Sequence, residues 1–228
     1  MHRIAGVLWH PRSTMAEVAR HPAFISTWIA LLVVVAACGS VLLWSPVGRQ
    51  ALVDERVRVI EALGGRVDDG AYAALQAHPP RLAYATSGGR LLLNPLVTLV
   101  TALGLVVLGA LDGARVRYGV ALAVAVHATV VLALQQVLIA PLHYVRESLT
   151  SPTTLAGLLP MLEEGTWAAR LLGSMDVFGL WWVWLLAVGL AAATGRPALR
   201  YVWRIGLAYV AVAALAAAVF LLLGGDGL

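Results

Sequence analysis

The sequence predicts an all-α polytopic membrane protein: a bundle of five transmembrane helices with an N-terminal interfacial helix and a long helical extracytoplasmic loop. Its 228 residues are 61% hydrophobic and only 12% charged, whereas soluble domains carry about 25% charged residues. A helix needs roughly 20 apolar residues to cross the hydrocarbon. Residues 1–22 precede the transmembrane domain, 23–228, whose predicted spans cover about 23–44, 91–111, 119–140, 177–194 and 203–223.

The composition also excludes several classes of protein. A single cysteine, Cys38, excludes a disulfide framework and a cysteine zinc site. All 16 cations are arginines, and a chain rich in Ala, Leu and Val without lysine is typical of a GC-rich bacterial genome. The arginines are scattered between the apolar segments, which argues against a nucleic-acid partner. The sequence therefore predicts a bacterial plasma-membrane protein whose solvent is the lipid bilayer.

The distribution of arginine predicts the orientation of the chain. Eight arginines lie before the first span, between the second and third, and from 195 to 204, where Arg204 enters the first turn of the fifth span. The opposite side has two in the 141–170 link and six in the long 45–90 loop. Because short segments decide orientation, we expect a cytoplasmic N-terminus, an extracytoplasmic C-terminus and an external 45–90 loop.

The segment before the first span predicts a short helix at the membrane surface. Thr14 and Glu17 have the spacing of a capping box, which predicts a helix over 15–20. Trp9 lies among three arginines, a pattern that favours the cytoplasmic headgroup layer. Segment 1–22 is then either a positional anchor for the first span or an element that shapes the membrane or docks a partner.

The 45–90 loop is the one polar stretch long enough to fold. Its apolar residues approximate an amphipathic helix that stops at Gly64-Gly65. Asp68 is placed to cap a second helix over 69–77, which stops at the two prolines that follow. We expect both helices to pack against the outer face of the membrane or the bundle.

A few polar residues lie inside the predicted spans. His127 is in the middle of the third span, with Gln135 two turns further along the same face. Asn94 and Thr98 share a face of the second span. We expect His127 to hydrogen-bond to Asn94 or Thr98 across a helix interface. The alternative is a proton or ion path, although no second membrane-embedded carboxylate accompanies the histidine.

Ser174 and Asp176 lie immediately before the fourth span. A carboxylate at that position faces the positive end of the helix dipole and is suited to cap the helix. The alternative for Asp176 is a site that faces a substrate or a partner. Trp181, Trp182 and Trp184 follow at once, which is typical of an aromatic belt.

Motifs for catalysis are incomplete. Glu163-Glu164 is similar to the double glutamate of intramembrane prenyl endopeptidases, but Arg170 is two positions too far and the later histidines are absent. Neither Ser87 nor Ser174 has the context of a serine–histidine dyad. The sequence therefore predicts no enzyme, no catalytic residue, no cofactor and no metal site.

Three segments of the chain carry a recognisable pattern: RIAGVLWHPRSTMAEVARHPAFISTWIALLVVVAA (3–37), VRYGVALAVAVHATVVLALQQVL (116–138) and LLGSMDVFGLWWVWLLAVGLAAATGR (171–196). Together they resemble the bacterial branch of the Yip family, the Ypt/Rab-GTPase-interacting membrane proteins. The first segment resembles the family's opening aromatic-x-x-Pro run into the first span, the second its third span, and the third its Ser-x-Asp-x-Phe fourth span. The positions that match the family motifs are Pro11, Ser174, Asp176, Phe178 and Gly195.

The resemblance implies a five-span bundle with a cytoplasmic N-terminus and a non-enzymatic role. Eukaryotic relatives bind small GTPases, but this chain lacks their Asp-Leu-Tyr-Gly-Pro element, so GTPase binding is not carried over. The first hypothesis is a scaffold that organises the membrane or assembles with a membrane-protein partner or a second copy of itself. The alternative is an accessory or permeation subunit of a transport system, with the His127 region lining a polar path.

Overall fold

A computed structural model describes residues 2–62, 64–77, 79–146, 152–159, 161 and 166–223; Glu163 and Glu164 lie outside these ranges. The described part of the chain is all-α, as predicted, with one isolated antiparallel β-bridge between Thr154 and Asp176. Its eleven helices are α1 (His2–Trp9), α2 (Pro11–Arg20), α3 (Ile25–Trp44), α4 (Pro46–Ala62), α5 (Asp69–Ala77), α6 (Pro79–Leu111), α7 (Tyr118–Ala128), α8 (Val130–Arg146), α9 (Trp167–Gly173), α10 (Val177–Thr194) and α11 (Ala198–Leu223).

Four of the predicted spans are helices long and apolar enough to cross a bilayer. They cover Leu92–Leu111, Tyr118–Leu142, Val177–Thr194 and Ala198–Ala218. The second of these combines α7 and most of α8, which meet at Thr129, where the hydroxyl bonds back to the Ala125 carbonyl at 2.9 Å. The last begins at Ala198 rather than at 203, because two arginines near its start are paired with a carboxylate. The protein is therefore a multi-pass membrane protein.

The predicted first span, 23–44, is helical but shorter in its described apolar part. Helix α3 has 20 residues, which at 1.5 Å per residue is about 30 Å. Its described apolar stretch is Ile25–Ser40, which is shorter than the other four spans. Whether α3 completes a five-span bundle therefore stays a prediction.

The 45–90 segment folds largely as the sequence predicts at its start and differently at its end. Helix α4 ends before Gly64, which adopts a φ of 80°, and the Asp68 carboxylate accepts the Ala71 N–H at 2.7 Å as the predicted cap of α5. The placement of residues 45–90 outside the membrane stays a prediction. Helix α6 begins at Pro79 and runs without a break into the span, since proline fits the first turn of a helix.

The chain divides into two compact units. The first has its core in α7 and α10, where the side chains of 121–128 and 185–190 are buried. In the second, α4 and α5 are held together by Tyr72, whose hydroxyl donates to Asp54 at 3.0 Å and accepts from Gln50 at 2.7 Å. The units comprise Met1–Val35, Leu91–Gln135 and Phe178–Tyr209, and Ala36–Arg90, Gln136–Val177 and Val210–Leu228.

Candidate functional site

The N-terminal segment is a pair of helices that packs against α7. Val7 of α1 and Met15 and Val18 of α2 are fully buried in the same core cluster as α7. Pro11, one of the positions that match the family motif, occupies the first turn of α2, where its missing N–H costs no hydrogen bond. Trp9, at the end of α1, is 79% exposed. The pair, hereafter the N-terminal hairpin, thus has one packed face and one outward face.

An ion pair fastens the N-terminal hairpin. The Arg3 guanidinium lies 2.9 Å from a Glu17 carboxylate oxygen, and another of its nitrogens donates to the His21 carbonyl at 2.8 Å. The predicted capping box is therefore wrong: Thr14 is buried inside α2, and Glu17 pairs with Arg3 instead. The helix starts earlier, at Pro11, because a proline in the first turn determines its beginning.

His127 is a fully buried residue of the core, 0% exposed. Its Nδ1 lies 2.8 Å from the Ala123 carbonyl, which can only accept, so Nδ1 carries the proton of the neutral ring. Nε2 then accepts from the Thr27 hydroxyl of α3, at 3.4 Å. The histidine joins two helices, as predicted, but its partner is Thr27.

The partners predicted for His127 lie elsewhere. Thr98 is buried and donates to the carbonyl of Asn94 one turn before it, at 2.9 Å. The side chain of Asn94 is exposed, and Gln135 is half-buried on α8. The predicted contacts of His127 with Asn94 and Thr98 are therefore wrong, because its two ring nitrogens bond to Ala123 and to Thr27 instead.

A cluster of charges lies where α6 ends and α11 begins. The guanidinium groups of Arg200 and Arg204 both lie 2.8 Å from the same Asp112 oxygen, Oδ1. Burial opposes the charge of Asp112, but the hydrogen bond from Arg204 and the charges of both arginines outweigh it, so the pKa of this carboxyl is held below its ordinary value. Sequence offers one signal for the pairing: an acid ends one span and two arginines start another on the same predicted side.

The Ser174–Asp176 motif is tied to the loop before it. The Thr153 hydroxyl donates to the Asp176 carboxylate, and the Val177 N–H donates to the Thr153 carbonyl at 3.2 Å. Ser174 follows α9 and donates to the carbonyl of Leu171 at 2.7 Å. Asp176 directly precedes α10, so its predicted capping role agrees with its position in the chain and stays a prediction.

The two remaining family-motif positions, Phe178 and Gly195, lie at the two ends of α10. The Phe178 ring lies 6.4 Å from that of Trp181, centroid to centroid, at the start of α10. Gly195 ends α10 with a φ of 69°, a left-handed conformation that glycine adopts without strain. Both positions therefore mark the ends of the span Val177–Thr194.

Sequence reasoning missed one close approach in the core. Gly189 of α10 lies against Val124 of α7 so closely that an added Cβ would overlap the valine Cγ1 and stand 3.1 Å from Cγ2. Nothing in the spacing of small residues distinguishes Gly189 from the other glycines in the spans. Its role depends on which helix faces it, which is a tertiary property.

Comparison with known proteins gives one family. The model of the Yip1 domain matches residues 5–222, which is nearly the whole chain. No curated protein matches the chain, and no solved structure does.

Proposed function

The chain is an integral membrane protein of the Yip family, and from that premise we propose that it is a non-enzymatic scaffold that assembles with partner membrane proteins and organises the bilayer around them. Its partner is a different membrane protein or a second copy of the chain. The proposal places it in the bacterial branch of the family and in the inner membrane, and it includes neither a cofactor nor a GTPase.

The observation that carries the proposal is the N-terminal hairpin with its two faces. One face is fixed to α7 through Val7, Met15 and Val18, and the Arg3–Glu17 pair holds the two helices together. The other face presents Trp9 and exposed Arg12. A rigidly held aromatic and basic surface is suited to contact headgroups or a partner, since ordering it costs little entropy on binding.

The surroundings of His127 favour a scaffold over a permeation subunit. Both ring nitrogens are engaged, one with the Ala123 carbonyl and one with the Thr27 hydroxyl. Hydrogen bonds of this kind between transmembrane helices contribute about 0.6 kcal/mol on average. A group used in this way joins helices and is not free to relay an ion.

The proposed orientation has an N-terminus in the cytoplasm. The Asp112–Arg204 pair supports it, because the end of α6 and the start of α11 then lie on one side of the membrane. In this proposed orientation the arginine-rich short segments lie on the cytoplasmic side, as the positive-inside rule requires.

Photo-cross-linking from the outward face of the hairpin tests the scaffold. A photoreactive residue replaces Trp9, which is 79% exposed, and the control variant carries the same probe at Leu207 in α11, which is 72% exposed. After irradiation of intact cells, we expect reproducible protein adducts from position 9 and lipid adducts from position 207. If position 9 gave no protein adducts, or if both positions gave the same adducts, assembly through this face would be refuted.

A further inference from the structure

The charge cluster at the start of α11 is not neutral. Two guanidinium groups, those of Arg200 and Arg204, share a single carboxylate oxygen of Asp112. The cluster therefore carries one uncompensated positive charge. Each guanidinium also has five N–H donors, so contact with one oxygen atom leaves donors over for a second acceptor.

The geometry separates the two signs of charge. The Asp112 side chain is 0% exposed, whereas the side chains of Arg200 and Arg204 are 48% and 37% exposed. The carboxylate thus lies inside and orients the arginines, and the guanidinium groups present their excess charge outward. An anion approaching from outside meets the two cations before it meets the buried carboxylate.

The cluster lies at the depth of lipid headgroups. The apolar stretch of α6 ends at Leu111, one residue before Asp112, and that of α11 begins at Ala198. Both stretches enter the hydrocarbon from this level, which places the arginines at the edge of the hydrocarbon, where lipid phosphates lie.

An apolar path runs beside the arginines into the bilayer. Leu199, Trp203 and Leu207 are all exposed and follow one another at intervals of four residues, so they form one stripe of α11. Arg200 and Arg204 form the neighbouring stripe. A lipid whose phosphate contacts the arginines therefore has a surface for an acyl chain along Trp203 and Leu207.

We propose that Arg200 and Arg204 bind the phosphate of an anionic phospholipid, whose acyl chain lies along Trp203 and Leu207. A zwitterionic headgroup carries its own ammonium, which meets the uncompensated cluster with repulsion, so the site selects a net negative headgroup. A free phosphate ion has the same acceptor atoms but no chain for the apolar stripe. This site does not depend on the scaffold role proposed above.

Lipid retention tests the site. The full-length protein is placed in bilayer discs of mixed phosphatidylcholine and phosphatidylglycerol. It is then released from the discs, and the lipids that stay bound are identified by native mass spectrometry. We expect the wild type to retain phosphatidylglycerol preferentially and Arg200→Gln to lose about fivefold in that preference, the effect of one arginine near an anionic surface.

Matched controls separate this site from a general attraction to charge. Arg196→Gln removes the same charge from the exposed link before α11, and we expect its preference to stay within about twofold of the wild type at physiological salt. An equal loss in both variants, or no phosphatidylglycerol preference in the wild type, would overturn the proposal. Each variant is first shown by size-exclusion chromatography to remain folded.

A second experiment distinguishes the phosphate of a lipid from a free phosphate ion. Short-chain phosphatidylglycerol and inorganic phosphate are added separately to the protein in neutral detergent, and the Tm is followed. We expect the lipid to raise the Tm of the wild type more than that of Arg200→Gln, and inorganic phosphate to leave both unchanged. Equal stabilisation by inorganic phosphate would show a free-anion site and refute a lipid site.

Discussion

Gly189 of α10 offers a sensitive test of how the core helices pack. An alanine there places its methyl group against Val124 of α7, in overlap with Cγ1 and at 3.1 Å and 3.2 Å from Cγ2 and Cβ. Overpacking of this kind costs about 1–3 kcal/mol, whereas alanine in place of a helical glycine returns about 0.5–1 kcal/mol. The difference between these two ranges is about 0–2.5 kcal/mol, so we expect Gly189→Ala to lower the free energy of unfolding by about 1 kcal/mol.

The chain supplies a matched control and a rescue for this prediction. A Cβ added at Gly206 of α11 would meet no atom within 4 Å, so Gly206→Ala should be neutral or stabilising. Val124→Ala removes the obstructing methyl groups, and the double variant should show a favourable coupling of at least about 0.5 kcal/mol. Steric trapping in bicelles measures each free energy of unfolding. If Gly189→Ala were as stable as Gly206→Ala, or the coupling were absent, the close approach of α7 and α10 would be refuted.

Two further predictions concern the polar groups. In a Cys38→Ser background, His127→Cys should resist labelling by an aqueous maleimide because the position is 0% exposed. The control variant Ser13→Cys, on the exposed surface, should react. Labelling at position 127 would indicate a water-filled path and favour the permeation subunit. The pKa of Asp112 is lower in the folded state, so this carboxylate stabilises the protein above the ordinary carboxyl pKa of about 4 and loses that effect as the pH falls through its lowered value. The difference in Tm between wild type and Asp112→Asn should therefore shrink on acidification, and a constant difference would contradict the pairing.

The spans are predictable because their signal is local. The fourth runs over Val177–Thr194, which matches the predicted bounds at both ends, and the second starts within one residue of its prediction. A run of apolar side chains must be long enough to cross the hydrocarbon wherever its neighbours lie. The cap of α5 by Asp68 is local in the same sense, since donor and acceptor lie three residues apart.

Partners of polar residues are not predictable in this way, because they depend on which helices meet. The sequence favours a partner for His127 in the second span, whereas the histidine bonds to Thr27, 100 residues away in the sequence. Thr14 and Glu17 have the spacing of a cap, but Glu17 is drawn to Arg3, which α1 places beside it. Periodicity indicates that a side chain faces a neighbour and leaves the identity of that neighbour open.

The packing of the N-terminal hairpin against α7 also has a consequence for synthesis, because the hairpin is made before the helix that it packs against. Its surface on α7 is not yet translated when α1 and α2 leave the ribosome, since α2 ends at Arg20 and α7 begins at Tyr118, about 100 residues later. At about 5–20 residues per second this interval lasts on the order of 5–20 s. Throughout it, Val7, Met15 and Val18 have no surface of α7 to cover them, so the hairpin cannot take its final position until α7 has been synthesised.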